Sequence, residues 1–208
     1  MEHKIKVVGI GPGNPDYVLP FGLKTIKAAK YLVGGRRALA DFAEDGMETY
    51  PITGDIPGVM NFIRARLQLD DVVAIVSGDP GYYSLLDALR REFPEELLEV
   101  IPGISSIQFA FSRLALPWHD ATLLSMHGRR ASDEALSYVE GKLLGMLTDT
   151  KYNSRTIAAL LIELGWPPET RCAACARLSY EDEKITRMIL AEAAGAEAVS
   201  NCIMVVMG

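Results

Sequence analysis

The stretch from Lys4 to Asn14, KIKVVGIGPGN, sets the reading of the whole chain. Lys4 to Ile10 has the apolar content of a strand, and it runs straight into glycines rather than into a hairpin. Beyond them, Gly22 to Ala29 carries Leu23, Ile26 and Ala29 at helical spacing, so the chain opens strand, loop, helix. The alternation continues with a short strand Tyr31 to Val33, a helix near Asp55 to Leu67 and the apolar run Val72 to Val76. A helix Ser84 to Phe93 and a strand Leu98 to Ile101 follow. A run apolar at every position, as from Val72 to Val76, suits a strand buried on both faces. Strands separated by helices predict a parallel sheet covered on both sides, and hence an α/β protein.

After a helix beginning near Ser105, the segment Leu114 to Asp120 (LALPWHD) sets a proline and polar residues between two periodic regions. This predicts a boundary at about residue 116, with α/β domains over 1–116 and 117–208. The second half reads as strands Ala121 to Met126 and Lys142 to Leu147, a helix Ser154 to Leu164, and strands Arg171 to Leu178 and Cys202 to Met207. Lys184 to Leu190 (KITRMIL) fits either period and is taken as a strand.

Composition narrows the function. With 21 Lys and Arg against 27 Asp and Glu the net charge is -6, which repels phosphate backbones and anionic lipid, so neither nucleic acid nor membrane is an expected partner. No stretch approaches the roughly 20 apolar residues of a membrane helix. The start, MEHKIKVVGIGPG, has no signal-peptide h-region, and three cysteines, an odd number, suggest reduced thiols in a cytoplasmic protein.

Three glycine loops follow predicted strands. Gly9-Ile10-Gly11-Pro12-Gly13-Asn14 superficially suggests a dinucleotide fold. However, Pro12 removes an N–H from the phosphate cradle, and the strand Tyr31-Leu32-Val33 ends in Gly34-Gly35 where a ribose-binding acid belongs. Ser77-Gly78-Asp79-Pro80-Gly81 puts a carboxylate beyond the strongest strand. Pro102-Gly103-Ile104-Ser105-Ser106 occupies the corresponding end of the next one. Each alone reads as a turn or a helix cap, but together they converge on one sheet edge, where open α/β sheets bind ligands.

The ordered set GIGPGNPDYV, SGDPGYYSL, PGISS and ELGWPPETRCAACARLSYEDEKI resembles, over essentially the whole chain, the motif set of the tetrapyrrole methylases, which use S-adenosylmethionine. Within that family VGGRRAL, LSMHGR and MLTD resemble the branch that methylates C-5 of a corrin precursor in cobalamin biosynthesis. The resemblance implies two α/β domains with a largely parallel N-terminal sheet and a mixed C-terminal sheet. It also implies a homodimer, with S-adenosylmethionine bound in the cleft between domains and released as S-adenosylhomocysteine. Carried over by position, cofactor contacts fall on Pro12, Asp79, Tyr82, Ser105, Ser106, Leu147, Thr148, Ala176 and Asn201. Sirohaem-type relatives carry an aspartate where this chain has Gly34-Gly35-Arg36-Arg37, which points away from a uroporphyrinogen substrate. Other readings are another corrin-ring C-methyltransferase, the protein-modifying diphthine synthase, or a non-catalytic S-adenosylmethionine-binding subunit.

The implied reaction needs an in-line carbon nucleophile, exclusion of water and a base for a ring proton. His127 is the candidate base. Arg36, Arg37, Arg129 and Arg130, beside glycines at predicted strand ends, suit the acetate and propionate carboxylates of a precorrin. Cys172 and Cys175 are three apart on a strand and point to opposite faces, so no protein metal site is expected and any cobalt belongs to the substrate. Because the chain shows no second glycine-rich cofactor loop and ends after its last strand, the decarboxylating C-15 methylation is expected of a separate methyltransferase partner.

Overall fold

The protein is described from a computed structural model covering residues 3–208. Its contacts divide the chain into one unit ending at Ser105 and another beginning at Ser106.

The first unit alternates β1 (Ile5–Gly9), α1 (Pro20–Lys27), β2 (Tyr31–Gly34), α2 (Arg36–Phe42), β3 (Glu48–Pro51), α3 (Ile56–Arg66), β4 (Val72–Val76), α4 (Leu86–Glu92) and β5 (Leu98–Ile101). The strands form one sheet in the order β3-β2-β4-β1-β5, parallel at every pairing. All five β4 residues are buried, as a central strand under two helical layers requires. Val8, Leu32 and Ile75 pack with Ile26 of α1 and Phe42 of α2 on one face. Val7, Val33 and Ala74 pack with Val59 and Ile63 of α3 and Leu89 of α4 on the other. The chain therefore leaves β1 toward one face and the adjacent β4 toward the opposite face. Such a reversal opens a crevice at the carboxyl ends of those two strands.

The second unit contains α5 (Ser106–Leu114), β6 (Thr122–Ser125), α6 (Asp133–Leu136), β7 (Leu143–Leu147), α7 (Ser154–Glu163), β8 (Arg171–Ala176), β9 (Lys184–Ile189), α8 (Leu190–Gly195) and β10 (Ile203–Met207). Its sheet runs β6-β7-β10-β8-β9 and is mixed, because β6 and β7 are parallel while β10 is antiparallel to both β7 and β8, and β9 to β8. Trp166 centres the core, its indole N–H donating to the Leu136 carbonyl at 2.7 Å and its ring meeting Tyr138 edge-on at 5.3 Å. The side chain of Asn153 accepts the N–H groups of Arg155 and Thr156 and so caps α7.

Several expectations shift. The division falls at Ser105–Ser106 rather than near 116, because α5 packs with its own unit: the Phe111 ring lies over Gly145, where a Cβ would meet it at 2.7 Å. The segment KITRMIL, taken as a strand, is one: β9 covers it up to Ile189, and only Leu190 belongs to α8. Arg36 and Arg37 follow Gly34, the last residue of β2, as expected, and in addition open helix α2. Among the described residues no helix is long and apolar enough to cross a membrane.

Candidate functional site

At the crevice between β1 and β4 backbone approaches backbone closely. Gly11 and Gly78 exchange hydrogen bonds, the Gly11 N–H donating to the Gly78 carbonyl at 3.2 Å and the Gly78 N–H to the Gly11 carbonyl at 2.8 Å. A Cβ on Gly9 would sit 2.6 Å from the Gly78 carbonyl oxygen and 2.7 Å from the Gly103 nitrogen, so the loops after β1, β4 and β5 meet where only glycine fits. Asp79 ties them laterally. One carboxylate oxygen accepts the Gly81 N–H at 2.8 Å and the other the Gly103 N–H at 3.0 Å. Asp79 is thus a brace between the β4 and β5 loops, with lone pairs left over on each oxygen.

Tyr82 follows in the same loop. Its ring meets Tyr83 edge-on at 4.8 Å, and its hydroxyl is buried with no hydrogen-bond partner among the described residues. Burial pushes that hydroxyl well above the ordinary range for tyrosine, so it stays protonated and available as a donor. Pro12 lies in the β1 loop, Ser105 is buried at the end of the β5 loop, and Ser106 begins α5. Arg36 and Arg37, both exposed, leave the same edge of the sheet from β2. Cations in a first helical turn oppose the helix dipole, so local helix stability does not account for the pair.

In the second unit the remaining candidates also share one sheet edge. The ends of β6, β7 and β8 and the start of the antiparallel β10 place His127, Thr148, Ala176 and Asn201 there, with Leu147 the last residue of β7. Asn201 has a left-handed backbone, φ 51°, which asparagine tolerates better than most residues. Thr148 is buried, and its hydroxyl donates to the Cys202 carbonyl at 2.9 Å while accepting the Cys202 N–H at 2.9 Å. This hydroxyl is therefore engaged in joining β7 to β10. His127 is exposed, its Nδ1 lying 3.2 Å from the Thr148 carbonyl oxygen. Arg129 and Arg130 are exposed in the loop that follows, and Arg130 is paired with Asp133.

Asp149 was not among the sequence candidates, yet it organises this edge. Its carboxylate accepts the N–H groups of Gly128, Lys151 and Tyr152. The available signal was an aspartate opening a loop directly after a strand, a position from which it bonds backbone N–H groups two and three residues on.

Cys172 belongs to the Trp166 core, while Cys175 lies on the other side of β8 and is also buried. Burial pushes both thiols up to about 12, so neither is a nucleophile near neutral pH. Among the described residues the one cluster with metal-ligand spacing is His3, Asp70 and Asp71. Lysines already neutralise it: Lys30 lies 2.5 Å from the Asp70 carboxylate and Lys6 2.7 Å from that of Asp71.

Comparison with known proteins agrees with this architecture. The cobalt-precorrin-7 C(5)-methyltransferase of Salmonella typhimurium is 34% identical over 161 residues, covering 77% of this chain and 79% of that protein. The probable cobalt-precorrin-7 C(5)-methyltransferase of Methanocaldococcus jannaschii is 31% identical over 202 residues, 93% of this chain and 92% of that protein. The crystal structure of uroporphyrin-III C-methyltransferase from Thermus thermophilus, in complex with S-adenosylhomocysteine, matches 98% of this chain and 92% of its own. Its TM-score is 0.76 at 22% identity, a likeness of fold. Residues 4–194 match the family profile of the tetrapyrrole (corrin/porphyrin) methylases, and with these relatives the match shows that the chain belongs to that family.

Proposed function

We propose that this chain is an S-adenosylmethionine-dependent methyltransferase that adds one methyl group at C-5 of a precorrin, with or without cobalt, in cobalamin biosynthesis. The observation that carries the reading furthest is the way the β1 loop spends its N–H groups. Ile10 donates to Val76, Gly11 donates to Gly78, and Pro12 has no N–H to offer. A glycine loop at the crevice of an α/β sheet whose positions 10, 11 and 12 offer a phosphate no N–H suits a cofactor without phosphate. The buried, unpartnered Tyr82 hydroxyl beside it suits one with polar acceptors. The loop residues fit S-adenosylmethionine, and the family resemblance supports Pro12, Asp79, Tyr82 and Ser105 of the first unit, and Ser106, Leu147, Thr148, Ala176 and Asn201 of the second, as residues that contact it. For Thr148 the backbone is the available point of contact.

When bound, the cofactor supplies a methyl group on a sulfonium, which leaves as a neutral thioether. The chain's own residues bind and orient the acceptor. Arg36, Arg37 and Arg129 engage ring carboxylates, each charge-assisted bond being worth about 1.5–3 kcal/mol. Arg130 would first have to leave Asp133. His127 takes the proton that the ring releases. The resemblance also supports a cytoplasmic homodimer, with the decarboxylating C-15 methylation carried by a separate methyltransferase.

Titration calorimetry tests the cofactor reading. S-adenosylmethionine and S-adenosylhomocysteine should bind, NAD and ATP should not, and Asp79→Ala should weaken binding at least about tenfold, or 1.4 kcal/mol. Binding of NAD or ATP in place of S-adenosylmethionine would overturn it.

A further inference from the structure

The two carboxylate oxygens of Asp149 divide their work. Oδ1 accepts the N–H groups of Lys151 at 2.8 Å and Tyr152 at 2.6 Å, which shapes the turn leading into α7. Oδ2 accepts the N–H of Gly128 at 2.7 Å, reaching back 21 residues to the residue after His127. The Gly128 and Tyr152 bonds, with smaller contributions from the Lys151 bond and from the nearby His127, hold the Asp149 carboxyl below the usual range, so it is an anion anchored chiefly by backbone N–H groups.

The ring of His127 is held as closely. Its Nδ1 lies 3.2 Å from the Thr148 carbonyl, and its backbone N–H donates to the Ser125 hydroxyl at 3.3 Å. A carbonyl only accepts, so in the neutral ring Nδ1 carries the hydrogen and Nε2 keeps the lone pair. Neutral imidazole in water prefers the opposite tautomer, so this arrangement is imposed by the protein. The carbonyl is itself immobile, because Thr148 is buried and doubly bonded to Cys202. The residue after His127 is tied in turn, its N–H donating to Asp149.

We propose that Asp149 is the positioning residue of the methyl-transfer site, clamping the Gly128 N–H so that His127 is held in the tautomer whose Nε2 accepts the substrate's proton. This rests on the reading of His127 as the base. An electron pair of the tetrapyrrole would form the new carbon–carbon bond as the carbon–sulfur bonding pair returns to sulfur, and the proton that the tetrapyrrole releases passes to Nε2 of His127. One sulfonium charge is lost and one imidazolium charge gained.

Asp149→Asn isolates the clamp. The amide oxygen still accepts from Lys151 and Tyr152, but an NH2 group now faces the Gly128 N–H, donor against donor. In 15N NMR, wild-type His127 should show the Nδ1–H tautomer, and Asp149→Asn should shift it toward Nε2–H. The same variant should keep its affinity for S-adenosylmethionine and its KM for the tetrapyrrole while kcat falls about 100-fold, the scale of a misplaced reacting group. In a His127→Gln background it should cost nothing further, since the two act as a unit. A wild-type ring in the Nε2–H form overturns the proposal whether or not the variant folds. So does an Asp149→Asn variant with an unchanged tautomer, or one whose kcat loss persists undiminished without His127. A wild-type chain that methylates no precorrin overturns the functional reading alone, because the tautomer measurement needs no turnover.

Discussion

Replacing Gly9 with alanine separates a built crevice from an ordinary turn. Gly9 closes β1 outside the left-handed region, so alanine meets no backbone penalty there and the whole cost is space. The new Cβ would lie 2.6 Å from the Gly78 carbonyl oxygen, 2.7 Å from the Gly103 nitrogen and 2.8 Å from the Gly103 Cα. All three are backbone atoms that cannot rotate aside. Ordinary contact is about 3.5 Å, so the loops must part by close to 1 Å. Overpacking of this kind costs about 1–3 kcal/mol. Parting also strains the bonds between Gly11 and Gly78 and the Asp79–Gly103 bond, worth about 1 kcal/mol each if neutral and about 1.5–3 if charged. Partial relaxation leaves an expected loss of about 3 kcal/mol, a large share of the roughly 5–15 kcal/mol that holds a typical native protein. Gly54→Ala, at an exposed bend with nothing within 4 Å of its Cβ position, is the control and should stay within about 0.5 kcal/mol of wild type. Urea unfolding gives the stabilities, and calorimetry gives S-adenosylmethionine affinity, which should drop at least about tenfold in Gly9→Ala. If Gly9→Ala matches Gly54→Ala in both measurements, the close approach of the three loops has no bearing on the site.

Tyr82→Phe removes a buried hydroxyl that has no partner in the free protein, so it should stabilise the free chain by about 1 kcal/mol in urea unfolding while weakening S-adenosylmethionine binding. A loss of stability would mean the hydroxyl is already satisfied. Burial holds the Cys172 and Cys175 thiols near 12, whereas an unfolded thiol ionises near about 8.5, so the unfolded state sheds protons first as pH rises. The stability they confer is full below that window and is lost as pH climbs through it. Cys175→Ala should flatten the alkaline limb of the stability profile, and an unchanged slope would contradict the assignment. Arg36→Met with Arg37→Met should raise the tetrapyrrole KM with little change in cofactor affinity, because methionine keeps an apolar stem but lacks the guanidinium fork. Equal constants would make the pair an ordinary solvated surface feature.

The first unit was legible because its pattern is local. Val72 to Val76 is apolar throughout, the glycine loops follow strands directly, and each α/β step repeats the last. Its omissions are the exposed edge strand β3, where Glu48 and Thr49 face solvent, and the short helix α2, whose first turn carries two arginines against the usual charge preference. The boundary was misplaced because a proline-containing segment marks a break in periodicity, whereas the compact unit is decided by where Phe111 packs, a contact with Gly145 that no local pattern reveals. The same holds at the site. Glycine loops advertise themselves, but the roles of Asp79 and Asp149 depend on N–H groups 24 and 21 residues away. The Thr148 hydroxyl likewise bonds Cys202, 54 residues on, which no local pattern reveals.

Mass spectrometry after incubation with methyl-labelled S-adenosylmethionine and a panel of precorrins, with headspace carbon dioxide measured in parallel, tests the central claim most directly. The account predicts one labelled methyl on the C-5 acceptor, none on uroporphyrinogen, and no carbon dioxide. Tight cofactor binding with no methylated product, a methyl at another ring carbon, or carbon dioxide released by this chain alone would contradict it.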